Sequence, residues 1–294
     1  MITVFGATGN IGRHLVPALL TRREKVRAVT RRREQARAGL DPAGTAGSAL
    51  ELMALDLSAP GAAAGVADAV RSTDALFLAL PGGDDQVEQE ALVLAAAAAA
   101  GVPKVTVVSV IGPSHDHPVP YARHHAAVED RIRELGLAAT ILRPNWFAEN
   151  FLGSAPTVVA DGSLYGCAHD GRVGFVDGRD IAAVAAVTLT ADGYAGRELV
   201  VTGPESVTFA GAAQRIGDGL GRDVRYVDLP PEQFEAALDG AGLPADVARA
   251  VVAINLNARA GNLDLVTSTV QDVTGRPARG LAEWARDNRA AFSG

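Results

Sequence analysis

The chain has 294 residues, 48% of them hydrophobic, which is enough to bury the core of one large α/β domain or of a domain with an appended cap. Its formal net charge of −7 argues against a surface that binds nucleic acid electrostatically. Cys167 is the only cysteine, so no disulfide forms within the chain and a reducing compartment is favoured. No signal-like segment precedes the first predicted strand, and the longest apolar tract, residues 91–100, is too short to span a bilayer. We therefore expect a cytoplasmic protein with neither nucleic-acid nor membrane partners.

The opening of the chain carries the strongest motif. Residues 2–5 are an apolar run that predicts a buried strand, and Gly6, Gly9 and Gly12 follow at a spacing of three. An apolar helical face comes next, at Leu15, Val16, Leu19 and Leu20. A strand, a glycine-rich turn and a helix N-terminus together form the phosphate-binding device of dinucleotide folds. An ordinary glycine-rich turn is the alternative.

Each glycine of this motif has an expected task. Gly6 allows the tight turn, Gly9 lets the backbone approach a pyrophosphate, and Gly12 lets the helix lie close to the sheet. The spacing is G-x-x-G-x-x-G rather than G-x-G-x-x-G, so the prediction depends on the position of the turn between strand and helix. The predicted cofactor contacts here are Gly6, Thr8, Gly9, Asn10, Ile11 and Gly12.

The end of the second predicted strand indicates which cofactor is bound. Residues 25–29 form this strand, and Thr30 and Arg31 follow it. In NAD-selective folds an acidic residue near this point binds the ribose hydroxyls and would repel a 2′-phosphate, whereas a guanidinium group matches a phosphate. Arg31 therefore predicts NADPH rather than NADH. The alternative is that residues 31–33 are the exposed start of a helix.

The next elements alternate between strand and helix. Strands are predicted at residues 50–55, 75–80, 104–108 and 137–142, and helices at residues 62–70 and 87–100. This alternation predicts an α/β fold, a Rossmann-type doubly wound parallel sheet. The uniformly apolar second half of the helix at residues 87–100 predicts burial on both sides. Cofactor contacts at strand ends are predicted for Asp56, which is equally compatible with a plain turn, and for Leu80, Pro81 and Ser109.

The helix that follows Pro120 aligns three polar side chains. Tyr121, His125 and Glu129 recur at i, i+4 and i+8 and therefore share one face. His125 is placed either to orient a ribose or to donate a proton near neutral pH, with Glu129 holding the imidazole through its second nitrogen. Tyr121 is a candidate for the same site, and a surface position after the neighbouring prolines is its alternative.

A short cluster of metal-ligand residue types precedes this helix. His115, Asp116 and His117 are adjacent, but they lie between Pro113 and Pro118, and no third ligand motif is in range. A structural or catalytic metal needs more ligands than this cluster offers. We expect a loop here and no metal site.

An aromatic segment follows the strand at residues 137–142. Pro144 and Asn145 stand at the carboxyl side of the sheet, where the nicotinamide region of a cofactor is expected. Three aromatic residues then lie close together in a chain that is only 5% aromatic: Trp146, Phe147 and Phe151. This concentration favours an apolar wall for a planar substrate. Simple packing between sheet and cap is the alternative.

The rest of the chain predicts a smaller α/β cap at the C-terminal end. We assign residues 1–152 to a cofactor-binding core and residues 153–294 to the cap, with about 173–202 returning to the core. A strand is predicted at residues 175–177, and a helix follows it. The later helices and short strands are too scattered to form a second sheet core, so they are expected to cover the substrate side of the cofactor.

Several stretches give the chain a resemblance to a known family. They are GATGNIG at residues 6–12, VVSVIG at 107–112, HAAVE at 125–129, ILRPNWFAEN at 141–150, FVDGRDIA at 175–182, VTGP at 201–204 and VTGRP at 273–277. In these stretches the chain resembles the NmrA-like group of atypical short-chain dehydrogenases/reductases. The resemblance implies a single family over the whole chain. That group contains NADPH-dependent quinone reductases, triphenylmethane-dye reductases, isoflavone-type reductases and cofactor-sensing regulators with little or no catalysis.

The resemblance also frames the catalytic residues. Short-chain dehydrogenases commonly use a serine, a tyrosine and a lysine four residues after the tyrosine. Ser109 and Tyr121 match the first two, but the third position is His125. The resemblance places His125 where isoflavone-type reductases have their catalytic lysine and where quinone-reductase-like members often have histidine. Loss of the lysine shifts the expected substrate toward easily reduced, electron-poor acceptors.

These observations lead to one hypothesis and two alternatives. We expect an NADPH-dependent oxidoreductase, a monomer or homodimer, that reduces a planar small molecule such as a quinone or a polycyclic or aromatic ketone. One alternative is a regulator that senses NADP(H) without turnover, which the missing lysine would suit. The other is a cofactor-assisted isomerase or epimerase, in which the hydride returns to the same substrate.

Overall fold

The structure is a computed structural model that describes residues 1–293. Within these residues the strands are β1 (Ile2–Phe5), β2 (Val26–Thr30), β3 (Leu50–Ala54), β4 (Ala75–Leu78), β5 (Lys104–Val108), β6 (Thr140–Pro144), β7 (Ser163–Gly166), β8 (Arg172–Val173), β9 (Glu198–Val201), β10 (Val207–Thr208) and β11 (Arg225–Asp228). The helices are α1 (Gly12–Thr21), α2 (Arg33–Leu40), α3 (Ala62–Val70), α4 (Gln86–Ala99), α5 (Pro120–Glu134), α6 (Ala155–Asp161), α7 (Gly178–Thr190), α8 (Phe209–Leu220), α9 (Pro231–Gly240), α10 (Ala245–Arg259), α11 (Thr269–Thr274) and α12 (Leu281–Asp287). Short 3₁₀ helices lie at Gly47–Ala49, Ala148–Ser154 and Arg289–Phe292.

A seven-stranded sheet, in the order β3-β2-β1-β4-β5-β6-β9, forms the centre of the fold. The paired strands from β3 to β6 run parallel. The hydrogen bonds from Ile141 N to Arg197 O and from Asn145 N to Val201 O continue the parallel arrangement into β9. Strand order reverses between β1 and β4, which is the switch point where ligands bind in doubly wound sheets. The predicted Rossmann-type fold is confirmed.

The strands are buried because helices cover both faces of the sheet. Along β5, Val105 and Val107 join a core cluster with residues of α3, α4 and α5. Thr106, between them, points to the other face, where its hydroxyl lies 3.0 Å from that of Thr188 in α7. All four residues of β1 and of β4 are buried, as expected for parallel strands with helices on both faces.

The prediction that α4 is covered on both sides in its second half was wrong. Its buried residues form one stripe, namely Gln86, Glu90, Val93, Leu94 and Ala97, whereas Ala99 is exposed. Spacing of three to four residues, not the apolar count, selects the face that is packed against the sheet. Two of the buried positions are polar, which bears on the candidate site.

The chain divides into two compact units. The first contains residues 1–115, 121–143 and 178–200, and the second contains residues 116–120, 144–177 and 201–293 of the described chain. In the second unit β8 pairs antiparallel with β10, and β7 pairs parallel with β11. The strand predicted at residues 175–177 is only a single bridge between Phe147 and Val176. None of the helices formed by residues 1–293 has the length and apolar character needed to cross a bilayer.

Candidate functional site

The glycine-rich turn shows two different reasons for its glycines. Gly6 has φ +80°, and a Cβ atom there would lie 1.9 Å from the carbonyl oxygen of Ala79. A Cβ at Gly12 would lie 2.2 Å from the oxygen of Gly6. A Cβ at Gly9 would meet only the Gly6 oxygen, at 3.3 Å, and Gly9 is exposed. The fold itself therefore requires Gly6 and Gly12, while Gly9 leaves an open backbone surface.

This open surface lies at the N-terminus of α1. Thr8, Gly9 and Asn10 are exposed, and Ile11 and Gly12 beneath them are buried. The cap position, Ile11, provides no side-chain hydrogen bond to the helix, and the first turn contains no acidic residue. The partial positive charge of the helix end is therefore not neutralised by a neighbouring carboxylate of its own first turn. The turn fits an anionic phosphate group.

The ends of β2 and β3 place two further predicted residues. Arg31 is exposed, and it forms no ion pair with any of residues 1–293. Thr30 is buried, and its hydroxyl accepts a hydrogen bond from the amide of Arg32 at 3.2 Å. Asp56 is exposed and caps a turn by accepting a hydrogen bond from the amide of Ser58 at 3.0 Å. The guanidinium of Arg31 is available to an anion, whereas Asp56 already has a local structural role.

Ser109, at the end of β5, is tied into a buried ion-pair network. Its hydroxyl donates to Glu129 Oε1 at 2.6 Å. Arg143 binds the same carboxylate through Nε at 3.0 Å and Nη2 at 2.6 Å, and it reaches Glu198 through Nη1 at 2.6 Å. Ser109 and Glu129 are 3% and 2% exposed. The carboxylate thus anchors β5, α5 and β6 to one another, and it occupies the hydroxyl of Ser109.

His125 has a different partner from the one predicted. Its Nε2 lies 3.4 Å from Nε2 of Gln86, and its Nδ1 is enclosed without a hydrogen-bond partner among residues 1–293. The predicted hydrogen bond to Glu129 is therefore absent, because Ser109 and Arg143 take that carboxylate. Burial lowers the pKa of His125 to about 4, so its ring is neutral at pH 7. This argues against the predicted role as a proton donor near neutral pH.

Tyr121 packs against the turn that follows β4. A Cβ atom at Gly82 would lie 2.8 Å from the Tyr121 ring, so the ring fits because residue 82 is a glycine. Leu80 and Pro81 come just before this glycine, and Leu80 is partly buried while Pro81 is exposed. The predicted residues Tyr121 and His125 thus contact the turn after β4 and the first turn of α4 respectively.

Sequence reasoning missed two residues, Gln86 and Glu90. They are 2% and 0% exposed on the packed stripe of α4. Glu90 Oε1 accepts hydrogen bonds from the amide of Leu80 at 3.2 Å and from Gln86 Nε2 at 3.5 Å. Burial raises the pKa of Glu90 to about 8. The available signal was the i, i+4 spacing of two polar residues in register with Val93, Leu94 and Ala97.

The buried carboxyl of Glu90 predicts a pH dependence of stability. The unfolded chain releases this proton near pH 4.5, whereas the folded protein holds it up to about pH 8. Stability from this group is therefore complete below about pH 4.5 and is lost as the pH rises through about 8. We expect the free energy of unfolding of the wild type, relative to Glu90→Gln, to fall by a few kcal/mol between about pH 5 and about pH 8.5. Urea unfolding at several pH values measures this, and a pH-independent difference would contradict it.

In the second unit, Asn145 has a structural role in its own surroundings. It is 3% exposed, its Nδ2 donates to Leu263 O at 3.0 Å, and its Oδ1 accepts from the Trp146 amide at 2.8 Å. Pro144, the last residue of β6, is buried. Both polar atoms of the Asn145 side chain are thus used within the second unit.

The three residues of the predicted aromatic wall have different surroundings in the structure. Phe151 is buried, with ring centroids 5.0 Å from Phe175, and Trp146 packs edge to face on Phe209 at 5.2 Å. Phe151 belongs to the hydrophobic core of the second unit, and the partly buried Trp146 packs against that core. Phe147 is partly exposed and lies outside that core. Packing accounts for Phe151, whereas Trp146 and Phe147 are each only partly buried and keep some accessible surface.

The remaining reactive residue types have local roles. Burial raises the pKa of Cys167 to about 11, so its thiol is protonated and unreactive at neutral pH. His115 Nε2 lies 2.7 Å from Asp130 Oδ2, and His117 Nδ1 accepts the amide hydrogen of Val119 at 3.0 Å. Within residues 1–293, the histidine, cysteine and carboxylate side chains form no group of three or more that could hold a metal ion.

Comparisons with known proteins place this geometry in a family. The NmrA-like family model matches residues 1–273. NAD(P)H azoreductase of Xenophilus azovorans is 35% identical over 292 residues, 99% of each chain. The (4-alkanoyl-5-oxo-2,5-dihydrofuran-3-yl)methyl phosphate reductase of Streptomyces griseus is 34% identical, over 100% of this chain and 99% of that one. The solved structure of an Escherichia coli NADPH-dependent quinone oxidoreductase complexed with NADPH has a TM-score of 0.86 at 27% identity, covering 98% of this chain and 99% of that one. The chain belongs to the NmrA-like family.

Proposed function

We propose that the protein is an NADPH-dependent oxidoreductase that reduces a planar, electron-poor organic compound such as a quinone or an aromatic ketone. The observation that carries the proposal is the exposed turn at Thr8, Gly9 and Asn10, which lies on an uncapped helix end at the switch point of the sheet. Full-length relatives with this fold are reductases that use NAD(P)H or NADPH by name. The family and the phosphate-binding geometry thus support the same activity.

The residues of the first unit suggest how the cofactor is held. The Gly9 amide already donates to Gly6 O, so the amides of residues 10–12 would bind the pyrophosphate. Arg31 would bind the 2′-phosphate. Leu80, Pro81 and Ser109 end the strands on the other side of the switch point, where the ribose of the nicotinamide half is expected. The cofactor contacts expected from the sequence at Asp56, Pro144 and Asn145 stay predictions. Bound NADPH supplies the hydride for the reduction.

The side chains near this region suit a substrate that needs little acid catalysis. His125 is neutral at pH 7, because burial lowers its pKa to about 4, and Ser109 already donates its hydroxyl to Glu129. A ketone would require strong protonation of its oxygen as the hydride arrives, whereas a quinone oxygen requires less. Tyr121, whose ring lies against the turn after β4, is the candidate donor for the product oxygen. This chemistry favours quinones within the proposed class.

A substitution at Gly9 tests cofactor binding with little expected effect on folding. A Cβ atom at Gly9 would make one close contact, with the Gly6 oxygen at 3.3 Å, which a shift of a few tenths of an ångström relieves. The same atom would stand between the turn and a pyrophosphate. We expect Gly9→Ala to weaken NADPH binding by at least about tenfold and to change the free energy of unfolding by less than about 1 kcal/mol. Isothermal titration and urea unfolding measure the two quantities. If the affinity of Gly9→Ala for NADPH is unchanged, the turn is not part of the cofactor site.

Arg31 sets the expected preference between cofactors. The wild type should oxidise NADPH faster than NADH at low cofactor concentration, with a quinone as acceptor. Replacing Arg31 by alanine removes a charge-assisted contact with the 2′-phosphate, so kcat/KM for NADPH should fall by about tenfold or more and that for NADH should be nearly unchanged. Arg33→Ala, at the exposed start of α2, is the matched control. Equal loss with both cofactors, or a wild-type preference for NADH, would refute this role for Arg31.

A further inference from the structure

Three polar residues, the buried Gln86 and Glu90 and the half-buried His125, form a cluster that the proposed reaction does not use directly. Glu90 accepts from the Leu80 amide and from Gln86 Nε2, and Gln86 Nε2 also lies 3.4 Å from Nε2 of His125. These contacts link three elements in series: the turn after β4, helix α4 and helix α5. The cluster therefore connects the Leu80–Pro81 turn, where a cofactor is expected, to the imidazole on α5.

The cluster is unfavourable for stability alone. Gln86 Oε1, Glu90 Oε2 and His125 Nδ1 are each enclosed and have no hydrogen-bond partner among residues 1–293. An enclosed polar atom without a partner costs about 1–3 kcal/mol. Glu90 also forms no ion pair with a described residue. Apolar residues at these positions on the packed stripe of α4 would satisfy the core better, so the cluster has to be explained by another requirement.

The amide of Gln86 lies between the carboxyl group of Glu90 and the imidazole of His125. Its nitrogen faces two acceptors, Glu90 Oε1 and His125 Nε2. Oε1 of Glu90 accepts from the Leu80 amide, so the proton of a neutral Glu90 belongs on Oε2, which has no partner among residues 1–293. The reverse orientation would therefore bring the amide oxygen against an oxygen that carries no proton. One amide hydrogen is thus directed to Glu90 and the other to His125. In this orientation Nε2 of His125 would accept the second amide hydrogen, and a neutral ring would carry its proton on Nδ1.

We propose that Gln86 and Glu90 are positioning residues of the site, which hold His125 as a neutral ring with its proton on Nδ1 and hold the Leu80–Pro81 turn in place. Glu90 acts as a neutral carboxylic acid in this arrangement, so that no buried charge lies next to the ring. The other titratable groups near the ring are His124 and Glu129 on α5, and Glu129 is already paired with Arg143. The inference about the reaction rests on the proposed function, whereas the state of the ring does not.

The state of the ring is tested by nitrogen NMR of the uniformly labelled protein, in the presence and absence of NADPH. Long-range proton–nitrogen spectra distinguish the two neutral tautomers and the imidazolium, and the His125→Asn variant identifies the His125 signals among the six histidines. We expect the Nδ1-protonated form with no titration between about pH 5.5 and 7, a range that contains the ordinary imidazole pKa of about 6.5. A His125 ring that titrates near that value, or that carries its proton on Nε2, would overturn the proposal.

Variants of Gln86 test whether its amide fixes the tautomer of His125. Gln86→Leu should abolish the fixed tautomer, without lowering the free energy of unfolding, because it removes an amide with an unpartnered oxygen. Gln86→Glu places a carboxyl group beside the ring and should raise the pKa of His125 by about one to three units. Gln89→Leu is the control, since Gln89 lies on the outer side of α4 and binds Ser58. If the His125 spectrum of Gln86→Leu equals that of the wild type, the proposed role of Gln86 is wrong.

The contribution to the reaction is measured separately. With a quinone that the wild type reduces, kcat should be flat between about pH 6 and 7, where Glu90 remains protonated. Gln86→Glu should make kcat fall as the imidazole changes its charge over that range. Glu90→Gln keeps a neutral side chain of the same size, and it should retain the flat profile and the NMR spectrum. Absence of turnover in the wild type would refute the proposed function but leave the NMR result intact. A pH profile of Gln86→Glu identical to that of the wild type would refute the catalytic part of the proposal.

Discussion

Replacing Arg143 by leucine is expected to lower the free energy of unfolding by about 3–5 kcal/mol. Glu129 is 2% exposed, and Arg143 binds both of its carboxylate oxygens, at 3.0 and 2.6 Å. Without the guanidinium, a charged carboxylate remains buried with the Ser109 hydroxyl and with Arg133, whose exposed side chain lies 3.8 Å away. A buried charge that loses its partner keeps its desolvation penalty and loses the compensating attraction. Urea unfolding at neutral pH measures the loss.

Two further variants separate the buried pair from an ordinary surface pair. Arg131 and Glu134 form an ion pair on the same helix, with side chains 39% and 62% exposed, so Arg131→Leu should change stability by less than about 0.5 kcal/mol. The double replacement Glu129→Leu with Arg143→Leu should recover most of the stability that Arg143→Leu loses, because no unpaired charge is left behind. Equal effects of Arg143→Leu and Arg131→Leu would show that the network does not hold β5, α5 and β6 together.

Replacing Gly6 by alanine is expected to destabilise the protein by about 2–6 kcal/mol. Two effects add at this position. The backbone has φ +80°, where an L-residue is strained, and the new Cβ would lie 1.9 Å from the carbonyl oxygen of Ala79. That oxygen belongs to the backbone that continues β4, so the clash can be relieved only by moving the neighbouring strand end. Thermal and urea unfolding should both show the loss.

Gly83→Ala is the matched control for Gly6→Ala. Gly83 lies in the turn after β4, has no positive φ, and a Cβ there would meet nothing within 4 Å. We expect its stability to stay within about 0.5 kcal/mol of the wild type. If Gly6→Ala is as stable as the wild type, the turn between β1 and α1 is more open than the structure shows. The structural roles assigned to Gly6, Gly9 and Gly12 would then be wrong.

The start of the fold could be predicted from sequence because its signals are local. The predicted strand at residues 2–5 is observed as Ile2–Phe5, and the helix begins at Gly12 as the glycine spacing requires. The tasks assigned to Gly6 and Gly12 agree with the close approaches of their backbones to Ala79 and to the turn. Each of these features depends on residues that are adjacent in the chain or one strand away.

The candidate site was harder to predict because its contacts join distant residues. Glu129 was expected to hold His125, four residues away, but Arg143 and Ser109 bind it from neighbouring strands. A shared helix face shows which side chains are near one another and leaves open which pairs form. The burial of Gln86 and Glu90 was not predicted, because a polar residue on a helix is ordinarily assigned to the exposed face. Their burial becomes visible only when α4 is placed on the sheet.

The aromatic segment shows that local composition does not reveal which residues a side chain packs against. Concentration of Trp146, Phe147 and Phe151 in a chain with few aromatics suggested a ligand wall. In the structure, Trp146 and Phe151 pack against Phe175 and Phe209, which lie far along the chain. Local composition identified an unusual segment, but the partners that explain it come from elsewhere in the sequence.

The most direct test of the proposed activity is a single-turnover experiment. The purified protein is loaded with one equivalent of NADPH, mixed with a quinone in the absence of oxygen, and the amounts of NADPH consumed and hydroquinone formed are compared. We predict equal amounts of both, with the reaction abolished or slowed by at least about tenfold in Gly9→Ala at the same cofactor concentration. Tight binding of NADPH with no consumption, across quinones, azo compounds and aromatic ketones, would contradict the reductase and identify the protein as one that binds the cofactor without turnover.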